Sequence, residues 1–243
     1  FYDTHTTMKD SARMVSRAIM YSYNRLSKFG ANPIYPLPGQ DNDTAPDYLN
    51  TPDTYLKWLK TRDWSYAWMA GDAVQTSGTY LQCFSKQKRQ PYMDVVWRFL
   101  DELQDKNTGV FGDGAPLIKV SGLMKLSLFY RAFNKPMPNT KQIYNTTLDA
   151  MRNDFPTDMC WVRNPLDLLT YLQQDLKKEL KQDMPEILQI TQKNLKMFLR
   201  PDGGYSRHFD RSLEAPNEAI LGAGLVEGDM NASTQALKIS IMC

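Results

Sequence analysis

From residue 53 onward, apolar positions recur three and four residues apart almost without a break, the spacing that gathers side chains on one face of a helix. The pattern predicts helices over 53–62, 70–85, 92–105, 117–133, 139–152, 165–181, 185–199, 216–225 and 230–241, and strand signals are nearly absent. Upstream, "DSARMVSRAIMYSYNRLSKF" brings Val15, Ala18, Ile19, Ser22, Leu26 and Phe29 to one face of a further amphipathic helix, closed by Gly30. Between the two regions, residues 30–52 carry Pro33, Pro36, Pro38, Pro46 and Pro52, which forbid a continuous helix or a central strand and predict a long loop.

The predicted helices are of two kinds, and they alternate. "YMDVVWRFLDELQD" and "EILQITQKNLKMFLR" show one apolar stripe against a charged face, as an outer layer requires. "AGDAVQTSGTYLQCF" and "LIKVSGLMKLSLFYRAF" carry few charges and several Gly or Ser residues, as expected of helices surrounded by others. Four turns lead from the first kind to the second: "LKTRDWSYAWMAGD", "LQDKNTGVFGDGAP", "FPTDMCWVRNP" and "LRPDGGYSRHFD". Their aromatic residues Trp64, Phe111, Trp161 and Tyr205 lie roughly 47 residues apart, the length of a two-helix repeat. The expectation is an all-α chain forming a single domain over residues 1–243. Its arrangement would be an α/α toroid, an incomplete or open barrel of about five hairpins, with inner helices around a central cavity and outer helices behind them. An extended superhelical solenoid is the alternative.

The order Trp68-Met69-Ala70-Gly71-Asp72, "LQDKNTGVFG", "KVSGLMKL", "RPDGGYS", "LVEGDMNAS" resembles bacterial proteins related to the terpenoid cyclase and protein prenyltransferase toroids, over roughly residues 55–240. The resemblance implies the toroid without implying one activity. Terpene cyclases of that group protonate their substrate from an Asp-x-Asp-Asp motif; the nearest approach, Asp41, Asp43 and Asp47, has Asn42 between its first two acids and Thr44 where the adjacent acid belongs. Prenyltransferases hold zinc with an aspartate, a cysteine and a histidine, an order that Asp158, Cys160 and His208 follow loosely. A buried structural thiol is the expectation for Cys160, and neither a metal nor another cofactor is expected.

Charge changes the picture by exclusion. The 29 basic and 27 acidic residues leave a net +2 with no long like-charge run, so no nucleic-acid footprint is visible. No apolar run is long enough for a bilayer, so no membrane partner is expected. Cys83, Cys160 and Cys243 are odd in number and far apart, which argues against a disulfide framework and favours a reducing, cytoplasmic compartment. The chain opens on Phe1, a start equally consistent with a targeting segment removed upstream.

Candidate chemistry gathers at the turns, where inner helices would present their N-termini to an anionic or polyhydroxylated ligand. His208 is a candidate base, Tyr205 a proton donor, and Arg207 or Arg211 a partner for a substrate carboxylate. Such a set suits β-elimination from a uronic acid, as toroidal polysaccharide lyases perform it, and Glu214, Asn217 and Glu218 follow downstream. Trp64, Trp68, Phe111 and Trp161 are candidates to stack on sugar rings, or simply to pack. Hydrolysis would need two acids across the scissile bond, with Asp72, Asp113, Asp202, Glu227 and Asp229 as candidates. Asp72 is the lone charge of its helix, as Lys119 and Lys125 are exceptions on theirs; each is a candidate for capping, snorkelling or mutual pairing. Glu227, Asp229 and Asn231 alternate as oxygen ligands do, although Asp229 or Asn231 as the cap of the last helix is the simpler expectation. The reading this favours is a carbohydrate-active toroid, a lyase or hydrolase acting on an anionic glycan. A non-catalytic glycan- or protein-binding toroid and an isoprenoid-handling enzyme are the alternatives.

Overall fold

The computed structural model describes residues 26–30, 32, 45–214 and 222–243. Eight α-helices occupy them: α1 (Pro52–Lys60), α2 (Ala67–Cys83), α3 (Lys86–Leu103), α4 (Pro116–Ala132), α5 (Thr140–Asn153), α6 (Met159–Leu172), α7 (Lys177–Lys196) and α8 (Met230–Met242). No strand forms among the described residues; two isolated bridges, Asp158 with His208 and Leu199 with Tyr205, are the only extended pairings there.

The even-numbered helices make one row, α2 on α4, α4 on α6 and α6 on α8. Behind it stand the odd-numbered helices, with α1 on α3 and α5 on α7, joined to the first row through α2–α3, α4–α5, α5–α6 and α6–α7. The division follows from composition. Ten of the seventeen residues of α4 are buried, against three of the twenty of α7, because α4 meets neighbours on several sides and α7 turns one stripe inward.

Glycine sets how closely the first two inner helices approach. A Cβ on Gly71 of α2 would collide with the Gly122 carbonyl of α4, and one on Gly122 would come within 2.8 Å of the Ala67 Cβ. Nearly two helical turns beyond Gly71, Gly78 leaves room for the Phe129 ring, which a Cβ there would meet at 2.7 Å. The "small" character that marks these helices in the sequence is therefore a packing requirement.

The N-terminal ends of the inner helices gather at one end of the row. Gly112 and Gly114, leading into α4, sit against the Trp64 and Ser65 carbonyls ahead of α2, and the Leu117 amide donates to Asp154, just before α6, at 3.0 Å. Each of the four turns uses the same device, an aspartate whose carboxylate accepts the amide two residues on. Asp63 takes Ser65 at 3.0 Å, Asp105 takes Asn107 at 2.8 Å, Asp158 takes Cys160 at 2.7 Å and Asp202 takes Gly204 at 2.9 Å. An Asx turn re-aims the chain within two residues without help from distant groups, so its recurrence gives the repeat a physical content.

Helix starts differ from the expected ones where proline interrupts the pattern. α3 begins at Lys86, not 92, and α6 at Met159, not 165, while α7 runs unbroken through Pro185 where two helices were expected. The first two begin upstream of their prolines because Ser85 caps the Lys88 amide and Asp158 the Cys160 amide, and a capped first turn outweighs one missing N–H bond further in. Residues 222–225 of the expected helix 216–225 are not helical, and Gly224 there has a left-handed φ of 72°; the other residues of that helix lie outside those described, as do most of the helix expected ahead of Gly30 and of the loop 30–52.

Candidate functional site

The segment "PDGGYSRHFDRS" is woven into the turns by its backbone. The Asp202 carboxylate accepts the Gly204 and Gly228 amides, each at 2.9 Å, and these amides hold its carboxyl below the usual carboxylate range. Gly204 and Gly228 pass so closely that a Cβ on either would meet the other's Cα within 3 Å. The Tyr205 carbonyl accepts the Asp229 amide at 2.8 Å, and the Arg207 carbonyl that of Met159 at 2.8 Å. Arg200 donates Nε to Ser206 Oγ at 2.6 Å and Nη2 to the His208 carbonyl at 3.2 Å, closing the underside of the loop.

Asp229 performs the capping role expected of it. Its Oδ1 accepts the Ala232 amide at 2.7 Å, while Oδ2 takes the Arg207 and Leu213 amides at 2.6 and 3.0 Å. Glu227 accepts the Ser212 hydroxyl at 3.1 Å and the Ala223 amide at 2.7 Å, and so belongs to the loop. Arg207 is mostly buried and donates to Asp158 Oδ2 at 2.6 Å and to Asn231 Oδ1 at 2.9 Å. His208 Nδ1 stands 3.8 Å from Asp158 Oδ2, and Arg211 pairs with neighbouring Asp210 at 3.6 Å. Asn217 and Glu218 lie outside the described residues. Among those described, no group of three His, Cys, Asp or Glu is arranged to hold a metal ion; Asp158 is already engaged by Arg207 and the Cys160 amide, and the Cys160 thiol donates to Gln235 Oε1 at 3.3 Å. Burial pushes that thiol above its ordinary pKa.

The aromatic candidates divide. Phe111 is fully buried and packs against Trp64 at 5.7 Å between centroids, so these two rings belong to the core and its edge. Trp68 meets Trp161 edge to face at 5.7 Å and Tyr66 at 6.0 Å, a row of rings across the N-terminal ends of α2 and α6. Partial burial and the Asp158 carboxylate raise the Tyr66 phenol. Asp72, four residues beyond Trp68 on the same face of α2, pairs with Lys125 of α4 at 2.9 Å, and the two side chains are 5% and 14% exposed. Lys125 Nζ also lies 5.8 Å from the Trp68 ring centroid.

Lys125 opens on a cavity of about 400 Å³ lined by residues of α2, α4, α6 and α8. Gln75, Lys125, Ser127 and Arg131 line one side of it, from α2 and α4, and Arg163, Asp167 and Lys238 the other, from α6 and α8. Four cations thus face it with one carboxylate, Asp167. Arg131 lies over the Tyr171 ring at 5.1 Å. Asp167 receives Lys238 Nζ at 2.8 and 3.0 Å, and Arg163 Nε stands 3.1 Å from its Oδ2. That Nε is buried and its N–H is not aligned on any acceptor.

This cavity is not at the helix N-termini, where the turns suggested a ligand would sit. Asp167 is nine residues beyond the Asp158 cap, about 14 Å along the helix axis, and neither Tyr205, His208 nor Arg211 lines the space. A polar ladder joins the two regions: Arg207 and Gln235 both donate to Asn231, and Gln235 accepts from Cys160, one turn before Arg163. Of the charges lining the cavity only Lys125 stood out in the sequence; Arg131, Arg163, Asp167 and Lys238 did not. Comparison with protein-family models, curated proteins and solved structures gives no match.

Proposed function

We propose that the two helix rows are an open arc of an α/α toroid, of the terpenoid cyclase and prenyltransferase kind, and that its inner face binds an anionic, carbohydrate-like ligand. The observation that carries this is the cavity where Lys125, Arg131, Arg163 and Lys238 face a single carboxylate. Partly desolvated cations attract an acidic ligand far more strongly there than on open surface. Trp68, near Lys125, and Trp161, packed against Trp68, supply flat rings suited to the apolar face of a sugar. The charged lining does not suit an isoprenoid tail, and among the described residues that line the cavity Asp167 is the one carboxylate, where hydrolysis needs a pair of acids.

Titration calorimetry with an oligogalacturonate and a sulfated oligosaccharide tests this. Micromolar binding that weakens with salt, and falls at least tenfold in Arg131→Ala/Lys238→Ala, supports the reading; no binding, or equal binding by the variant, overturns it. A lyase is the second reading, favoured by the Arg207–Asn231–Gln235 ladder that joins the His208 segment to this face. It requires unsaturated-uronate absorbance that His208→Ala abolishes, and equal or absent absorbance removes it.

A further inference from the structure

Two carboxylates meet cations on the inner face, and they differ. Asp72 is 3% exposed and its bond to Lys125 is part of the wall between α2 and α4. Asp167 lies in the cavity itself, and spans α6 to α8 by taking Lys238 and approaching Arg163. Lys238 is half exposed, with a side-chain exposure of 53%, so its bond to Asp167 competes with water and is weak. Arg163 is more deeply placed, its Nη2 given to Asn164 Oδ1 at 2.7 Å and its Nε N–H pointing past Asp167. A guanidinium matched to a carboxylate uses two parallel N–H bonds. Here the fork is only partly used, beside an acid that is close enough to neutralise it.

Resting on the anionic-ligand reading of the same cavity, we propose that Asp167 holds the place of an acidic group of the ligand. A carboxylate, sulfate or phosphate entering the cavity exchanges with it, taking the Arg163 Nε donor and the Lys238 ammonium while Asp167 turns toward water. Two consequences follow for specificity. A neutral sugar cannot effect the exchange, because it cannot replace the charge that Asp167 supplies. The ligand must also approach against Asp167, so the residue weakens binding of the molecules it selects.

The test uses the full chain, with tri-galacturonate, its methyl ester and inorganic sulfate as probes, in wild type, Asp167→Asn and Lys238→Met. The proposal expects Asp167→Asn to bind tri-galacturonate and sulfate about tenfold more tightly than wild type, the neutral ester to bind neither protein, and Lys238→Met to bind tri-galacturonate more weakly. If Asp167 is only a tie between α6 and α8, Asp167→Asn and Lys238→Met lower the melting temperature alike, and Asp167→Asn binds no more tightly; that result overturns the proposal and leaves the cavity reading standing. Absence of any binding to wild type and to Asp167→Asn overturns both. Asp167→Ser serves as the second variant should the amide fail to fold, with the same expected gain in affinity.

Discussion

Lys125 and Asp72 show how much one ion pair can decide. Asp72 is the lone charge of α2, Lys125 shares α4 with Lys119 and Arg131, and the two meet at 2.9 Å with little exposure. Removing one partner of such a buried pair costs about 3–5 kcal/mol, whereas replacing both by apolar groups costs much less. Lys125→Met should therefore unfold at markedly lower denaturant, and Asp72→Leu/Lys125→Met should recover most of the loss in the same chemical melt. A double variant no more stable than the single one would mean that the lysine acts through its place over Trp68 instead. That Asp72 and Lys125 answer each other was open to reading from the sequence as one of several outcomes for each. The same criterion, a lone charge on a helix that is otherwise neutral, would have singled out Lys238 of α8 but not Arg131, Arg163 or Asp167, which share their helices with other charges. These three read as ordinary helical charges, and only packing brings them to one space with Lys238, from α4, α6 and α8.

Among the elements, α2 and α4 depend on a contact no larger side chain permits. Gly122 lies against the Ala67 carbonyl and Cβ, so Gly122→Ala must push the helices apart or bend one. Overpacking of this kind costs about 1–3 kcal/mol, more than the helix propensity gained by losing a glycine. The variant should show a lower urea midpoint with an unchanged slope; a midpoint equal to or above wild type would show the helices free to separate. The alternation of charged and neutral helices was legible because burial on several sides leaves a compositional mark. The four turns were legible too, through their aspartates and glycines, and the shared Asx hydrogen bond explains why. Helix starts at Lys86 and Met159 were not, because Pro91 and Pro165 look like barriers until the upstream caps Ser85 and Asp158 are seen to hold the first turn. Asp158 doubles as cap and partner of Arg207, a use that no local pattern discloses.

For the whole molecule, unequal burial predicts unequal stability. α4 shares boundaries with α2, α5 and α6 and buries ten residues, while α7 buries three and packs on α5 and α6. Native-state hydrogen exchange should protect α4 to the level of global unfolding and release the amides of α7 through smaller openings. Equal protection in both would show that the rows unfold as one unit. Every helix pair described above as packed together stands no more than two helices apart in the chain. As a polypeptide of this pattern leaves the ribosome, each new helix from α3 on finds its preceding neighbours already made and waits for nothing synthesised long after it, so the two rows can be laid down hairpin by hairpin at the pace of translation.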